Sequence, residues 1–585
     1  MSSKTLITTC IELSNIKTTK NILLAGDWCI KNLKLFKNKN IFKNIWDSNR
    51  TIESDYKKIK KIHKKINLKL SNYLFNLHKK KISKQIWFNL TYIWLTYYLF
   101  FYYFKWQTII KIAKKNKKIK FNLFKINNVP SSIDTLDFYN ISSNSDIFNY
   151  IAFKKVIIYQ NKINLINIKI IKKNKKIYEK KKLPFDLIKN FKLNLFDKII
   201  LFFNKNFINH NLLVLDGINS KYNFLLNLFS FQFPTSFKYM FNWKEAKKNL
   251  VKNKRKILIP KLLENDGTHF ENFIFQNIIS DLPLCFTSGF NYLNELSGKI
   301  KLNPKIIISG TQHVHNELAK LWMLKQKYEN NKKLFIVSHG GGHQYLSLTM
   351  FDYEHKIGDN FFQWFDKKKF HNNRLPNTKY SFNVKKRNKN AEKIVFVGNE
   401  LKPYINRICP GPMSISTSKI IDDLDIIFKN LNRHIRSKVY YAPKKKMIKY
   451  FSSKISTILK KDKILPIGRL DQNIRKSKLV ICSYPQTTFF DAILSGPTIL
   501  VYNPKLWRHY TKLNKSYKIL KSHGIVFDNS LEAAKHINHI WQDIYKWWNE
   551  KEVVNARNIF LEEFNLPPKN NLTEVIKCLK IFKNV

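Results

Sequence analysis

From about residue 195 onward the chain alternates short apolar runs with longer stretches of helical spacing. The runs at 198–203, 212–215, 256–259, 305–309 and 333–338 form one series, and those at 393–397, 438–441, 478–483, 498–502 and 524–527 form a second. Apolar strands alternating with helices predict parallel sheets covered on both faces, because a strand buried on both sides reads as a continuous apolar run. Residues 366–392, between the two series, are polar, basic and poor in aliphatic side chains, which marks a domain boundary. An earlier strand at 21–25 runs into Gly26, Asp27, Trp28 and Cys29. A strand that ends in a glycine turn is a common ligand position in α/β folds.

Residues 51–125 read as helices with lysine-rich faces, and 170–183 as an exposed lysine-rich connector. Near the end, Ser530 is placed to cap a helix in which Leu531, Ala534, Ile537, Trp541, Ile544 and Trp548 keep helical spacing. The expected fold class is therefore α/β. Two Rossmann-like parallel-sheet domains occupy 1–375, with a helical insertion at 51–125, and 393–530; a linker at 376–392 joins them and helices follow at 531–585.

Residues 86–104 carry no charge over a length that could cross a membrane. They are loaded with tyrosine and include Asn89, Thr91 and Thr96, and tyrosine favours membrane interfaces over the hydrocarbon centre. A buried aromatic helix is expected here rather than a membrane span or an interfacial helix.

With 585 residues, 44% hydrophobic and 14% aromatic, the chain can bury several cores, which excludes fibrous and wholly disordered classes. Its formal charge of +65 is carried almost entirely by lysine. Sites that read bases or clamp phosphates favour arginine, so the excess reads mainly as compositional drift at tolerant surface positions. No specific nucleic-acid partner is expected, and peripheral contact with an anionic membrane stays open. The six cysteines are scattered, with no CxxC pair and no zinc-spaced histidines, as in a reduced cytoplasmic protein that needs no metal. The N-terminus has no basic region leading into an apolar one, so a secretory signal is not expected.

Two motifs carry chemistry. Ser338 and His339 precede Gly340, Gly341 and Gly342 directly after an apolar strand. Glycines there let backbone approach a ligand, and a histidine at the carboxyl edge of a sheet can serve as a general base. The alternative is a tight turn with a structural histidine. Esterases use a similar loop, but no GxSxG nucleophile elbow accompanies it. The second motif runs from Ser483 through Gln486, Thr487 and Thr488 to Gly496 and Pro497, and reads as strand, turn and short helix. Hydroxyls and free amides at a helix start suit a phosphate, with simple capping as the alternative. Glu354 and Asp359 are candidates to orient His339 or ligand hydroxyls.

Five segments together resemble a known family: TTCIEL with NILLAGDWC, IIISGTQHVHNELAKLWMLKQKYENNKKLFIVSHGGG, EHKIGDNFFQW, KLVICSYPQTTFFDAILSGPTILVYNP and GIVFDNSLEAAKHINHIWQDIYKWW. They are similar to transferases of bacterial surface-polysaccharide and nonulosonate gene clusters, distantly related to capsule Kdo transferases and teichoic-acid polymerases. The resemblance implies a GT-B architecture, an acceptor on the first domain and a nucleotide-activated donor on the second, as in capsule or O-antigen assembly. By that resemblance His339 to Gly342 match the family's His-Gly-Gly loop, Thr487 and Thr488 its hydroxyl-bearing helix start, and Asp27 an acidic position after the first strand. This chain departs from the family pattern at Ser338, His343 and Gln344, and in having Asp27 where Glu is more usual.

The expected activity is metal- and cofactor-independent glycosyl transfer from a nucleotide sugar, plausibly CMP-linked, to a glycan or glycolipid. His339 or, second, Asp27 takes the acceptor proton. The Thr487–Thr488 helix start with Lys444, Lys445 or Arg469 meets the leaving phosphate. Alternatives are transfer of a polyol phosphate from a CDP donor and a non-catalytic basic protein binding nucleic acid or anionic lipid.

Overall fold

In the computed structural model of the protein, residues 3–13, 21–29, 41–46, 49–116, 118–126, 129–167, 209–232, 243–252, 267–340, 351–363, 386–399, 402–408, 415–444, 449–502, 513–564 and 571–583 are described. Among them, β1 (Lys4–Ile7), β2 (Ile22–Leu24), β3 (Ile119–Leu123) and β4 (Asn164–Asn167) form a first sheet in the order β2-β1-β3-β4. A second contains β5 (Asn209–Val214), β6 (Asn303–Ser309), β7 (Lys333–Val337) and β8 (Asn360–Phe362), in sequential order. The third is built from β9 (Lys393–Val397), β10 (Val439–Ala442), β11 (Ser477–Cys482), β12 (Thr498–Val501) and β13 (Val526–Phe527), ordered β10-β9-β11-β12-β13. All strand pairs in these sheets are parallel.

The α/β class expected from the sequence is thus found, with parallel sheets in both halves, and the first half carries two of them. Strands β1, β3, β4 and β8 add to those anticipated, while the runs at 198–203 and 256–259 and the connector at 170–183 lie outside the described residues. The helices that frame the cores and the site are α1 (Asn49–Leu77), α2 (Lys84–Lys115), α3 (Ser220–Phe229), α4 (Gln312–His315), α5 (Phe351–Ile357), α6 (Thr487–Ser495) and α7 (Asn571–Lys583).

Helix α2 contains the aromatic stretch 86–104, and it is buried in protein. Trp87, Trp94, Tyr97 and Tyr98 are fully covered, and they share one core with Leu6, Ile7 and Phe121 of the first sheet and Ile307, Leu334 and Ile336 of the second. Its tyrosine hydroxyls need acceptors, and two carboxylates provide them. Tyr98 and Tyr102 donate to Asp281 at 3.0 and 2.9 Å, and Tyr103 donates to Asp55 at 3.1 Å. A span facing lipid would leave those groups unmatched. Among the described residues no helix is long and apolar enough to cross a membrane.

The opposite face of the second sheet forms a smaller core in which Leu212, Val214, Phe335 and Phe362 meet Val575, Cys578, Leu579 and Phe582 of α7. The last described helix of the chain therefore returns to the first half. A second tie runs the other way. After β9, Tyr404, Ile405 and Ile408 enter the core shared by the first two sheets, where Tyr404 donates to Asp146 at 2.5 Å and Asn406 to the Tyr139 carbonyl at 2.8 Å. The third sheet keeps its own core. There buried Arg387 donates to the carbonyls of Pro497 and Ala492 and to the hydroxyls of Ser495 and Thr498, closing the end of α6.

Lys105 of α2 is only 1% exposed, with its ammonium 3.4 Å from the Phe101 ring centre. Burial holds its pKa well below the usual lysine value. A cation over an aromatic face gains at most about 2 kcal/mol, whereas desolvating an ion costs several. Lys105→Met is expected to raise the melting temperature at pH 7. Because the folded form binds fewer protons here than the unfolded one, wild-type stability rises with pH and the advantage of Lys105→Met narrows towards pH 10. Melting curves of both proteins across that range check it.

Candidate active site

The carboxyl ends of β5, β6 and β7 meet at one point. Asp216, just past β5, accepts from the amides of Gly310 at 2.9 Å and Thr311 at 3.0 Å and from the Thr311 hydroxyl, which fixes the turn between β6 and α4. Gly217 and Gly310 let the loops close on each other. A Cβ on Gly310 would lie 2.5 Å from the Gly217 Cα and 3.3 Å from the Cβ of His339. No side chain fits at such distances, and Gly217 also has a φ of +88° that disfavours other residues.

His339 follows β7, as expected, and Glu354 on α5 stands behind it. Glu354 is 1% exposed, with one carboxylate oxygen 3.0 Å from His313 Nε2 and 4.0 Å from His339 Nδ1. The other ring nitrogen of His313 is 2.9 Å from the Ser309 hydroxyl. With Glu354 ionised, His313 Nε2–H donates to the carboxylate and Nδ1 accepts from Ser309, so a neutral imidazole satisfies the set. Helix α5 is itself held from outside: Tyr56 of α1 donates to Asp352 at 2.6 Å, Lys356 to Tyr92 at 3.1 Å, and Tyr353 stacks on Tyr92.

Of the other candidates in this half, Asp359 does not join His339. It accepts from the Leu334 amide at 2.7 Å and from Lys327 at 2.8 Å, at the amino end of β7. Gly340 is described, while Gly341 and Gly342 lie outside the described residues. Asp27 begins a short turn, Asp27–Cys29, at the carboxyl edge of the first sheet, and its side chain lies outside the described residues too.

In the third sheet the order β10-β9-β11-β12-β13 puts the topological switch point between β9 and β11, where such folds bind ligands. The second motif sits there. Ser483 is 3% exposed and donates to the Val397 carbonyl at 2.9 Å, which ties the two strand ends together. Thr488 is buried with its hydroxyl 3.0 Å from that of Tyr484. Gln486 precedes α6 as the N-cap residue without a side-chain capping bond, leaving Thr487 as the first helical residue. Lys444 reaches the same turn, 5.7 Å from the Tyr484 ring centre. Lys445 lies outside the described residues, and Arg469 is exposed before the short helix Leu470–Arg475.

The two motifs approach each other. A Cβ on Gly340 would stand 3.0 Å from the Thr487 hydroxyl oxygen, so the glycine loop of the second sheet lies against the helix start of the third. The first sheet meets the chain beyond β9 through Trp28, whose ring is 6.1 Å from that of Tyr404.

Sequence reasoning missed four residues of this region. Asp216 and His313 act through partners about 90 and 40 positions away, a range no local pattern reaches. Gln363, at the carboxyl edge of β8, is 1% exposed, and among the described residues neither of its amide atoms has a hydrogen-bond partner. Glu12 closes the turn after β1, one carboxylate oxygen accepting from the amides and hydroxyls of Thr8 and Thr9. The Thr-x-x-Glu spacing of a capping box was the available signal. Near the Tyr404 tie, His315 is pushed down to about 3 by burial and then by Lys320, Arg407, Lys402 and His313, so it is neutral at pH 7. Among the described residues no cluster of three or more His, Cys, Asp or Glu side chains could hold a metal ion.

Across residues 4–579 the chain matches the profile of the LIC12162 family transferases. No curated protein is significantly similar to it. Among solved structures, Anabaena Alr3699/HepE in complex with UDP-glucose is similar at 12% identity and a TM-score of 0.33, covering 55% of this chain and 90% of that one. MnaA of S. aureus, solved with UDP, is similar at 11% identity and a TM-score of 0.34, covering 65% of this chain and 97% of that one.

Burial pushes the Glu12 carboxyl up to about 8, against the donors from Thr8 and Thr9. The folded state therefore binds a proton that the unfolded chain releases near pH 4.5, and stability falls as pH rises from there to about 8. Glu12→Gln removes that titration. Its melting temperature is expected to gain on wild type steadily between pH 5 and pH 8, and parallel melting curves over that interval would refute the assignment.

Proposed function

The chain belongs to the LIC12162 family transferases, and from that premise we propose that it is a glycosyltransferase of GT-B-like build that uses a nucleotide-activated sugar. The approach of Gly340 to Thr487 is the observation that carries this reading, because it brings a potential base and a potential phosphate site side by side. In the proposed reaction His339 Nε2 takes the proton of the acceptor hydroxyl as its oxygen attacks the anomeric carbon. The bond from that carbon to the donor phosphate breaks, and the nucleotide leaves with the electron pair. The imidazolium that forms faces the Glu354 carboxylate, already oriented by His313. The leaving phosphate meets the start of α6, where the Thr487 hydroxyl and the positive end of the helix dipole favour an anion, with Lys444 nearby. Asp27 is the second candidate for the base. A CMP-linked donor and a surface glycan or glycolipid acceptor are the specific form of the proposal, and no metal or cofactor enters it.

Thr487 and Thr488 divide the two readings of their motif. Thr487→Ala is expected to weaken nucleotide binding with little change in melting temperature, while Thr488→Ala, which breaks the contact with Tyr484, costs about 1 kcal/mol of stability. Melting curves with CMP, CDP and UDP would read both effects. An unchanged nucleotide-induced shift in Thr487→Ala would remove it from the donor site.

His339→Ala is expected to lower turnover by roughly 10²- to 10⁴-fold while nucleotide binding persists, since the inferred donor pocket lies on the third sheet. Glu354→Gln should lower turnover with the acceptor KM little changed, because it orients the base without touching substrate. Gly340→Val would press on Thr487 and should depress turnover with the fold intact. Steady-state kinetics and melting on one preparation of each variant decide these points. A His339→Ala protein that binds nucleotide and transfers at the wild-type rate would move Asp27 into first place.

A further inference from the structure

Helix α3 is apolar on two opposite sides. Its inner side places Tyr222 and Leu226, both fully buried, in the core formed with α7 and the second sheet. Its outer side carries Phe224, Leu228 and, one turn beyond, Phe231, exposed by 47%, 56% and 98%. The step of four residues puts Phe224 and Leu228 on one side of the helix, and Phe231 follows just past its end. Phe231 has a φ of +53°, which is unusual for a bulky residue, and its amide donates to the Leu228 carbonyl at 3.0 Å. The outward position of its ring is thus set by a hydrogen-bonded turn.

The exposed charged side chains described on α3, which carries the stripe, and on α7 are basic. Exposed Lys221 opens the stripe, and α7, which packs against α3, exposes Ile576, Lys577 and Lys580. The sequences of the two helices contain a single acidic residue, Glu574. Large apolar side chains standing together in a basic surround are the composition of an element that lies in a membrane interface, rings at the acyl boundary and lysines at the lipid phosphates. A second copy of the chain fits the stripe poorly, because face-to-face pairing would set Lys221, Lys577 and Lys580 against their own counterparts in a protein of net charge +65.

We propose that the outer face of α3 is a docking surface for an anionic lipid bilayer, on which the chain lies without spanning it. This inference is independent of the transfer chemistry. The experiment is sedimentation of the full chain with vesicles of phosphatidylcholine alone and of phosphatidylcholine with phosphatidylglycerol, at about 0.15 M salt. Wild type is expected to sediment with the anionic vesicles. Combined Phe224→Ser, Leu228→Ser and Phe231→Ser should weaken that binding roughly tenfold or more. Phe231→Ser alone should weaken it measurably, and a side chain 98% exposed has no packing to lose, so its effect is free of any folding defect. Phe231→Trp should retain binding. If the triple variant binds anionic vesicles as tightly as wild type, lysine alone attracts the chain and the surface is not α3. If light scattering finds a wild-type dimer that the same substitutions dissolve, the stripe is a subunit interface and the proposal falls.

Discussion

Everything in the first half depends on placing one aromatic helix between two sheets. Helix α2 contributes Trp87, Trp94, Tyr97 and Tyr98 to a single core that reaches the first sheet on one side and the second on the other. The constraint on it is polar. Each buried tyrosine hydroxyl costs free energy unless it finds an acceptor, so Asp55 is buried with them and Asp281 is partly buried, with Lys155 2.7 Å from Asp281 to balance its charge. The same helix reaches the site. Tyr92 stacks on Tyr353 and accepts from Lys356, which seats α5 and therefore Glu354, while the Tyr97 hydroxyl is 3.1 Å from His315 on α4. The position of the candidate base is thus set by packing some distance behind it.

The halves are joined more tightly than by a linker alone. Tyr404, Ile405 and Ile408 from beyond β9 are buried in the first half, and α7 from the end of the chain is buried against the second sheet. Both ties are apolar, the first is hydrogen-bonded as well, and opening either exposes core side chains at about 25 cal/mol per Å². Wide hinge opening is therefore costly. Substrate entry is better served by movement of short loops at the carboxyl edges, of which Gly340 against Thr487 is one boundary.

What the sequence revealed followed from local pattern. The strands of the second half stood out because β9, β11 and β12 are buried almost throughout and read as continuous apolar runs. Strands β1, β3, β4 and β8 escaped because they are three to five residues long and each contains asparagine or lysine, which breaks the apolar run. His339, Glu354 and Thr487 were legible as chemistry after a strand or at a helix start. Their partners were not, since the His313–Glu354 and Asp216–Gly310 contacts join loops that only the sheet order brings together. Ser483 and Thr488 carried the right atoms, but folding engages them with Val397 and Tyr484.

Glu354 has two histidines and one buried carboxylate group, and that ratio matters for the proposed chemistry. A carboxylate facing His339 alone could turn in its pocket, and turning would have to be reversed each time the imidazole gained a proton. His313, itself fixed by the Ser309 hydroxyl at 2.9 Å, holds the carboxylate at 3.0 Å before any proton moves. At 4.0 Å the same carboxylate oxygen is close enough to His339 to favour its positive form electrostatically. In the proposed reaction a carboxylate held in place beside the ring that takes up the proton requires no reorganisation at that moment, which is where preorganised electrostatics lowers a barrier. His313 acts in this arrangement as a restraint on Glu354, and its worth lies in the motion it prevents.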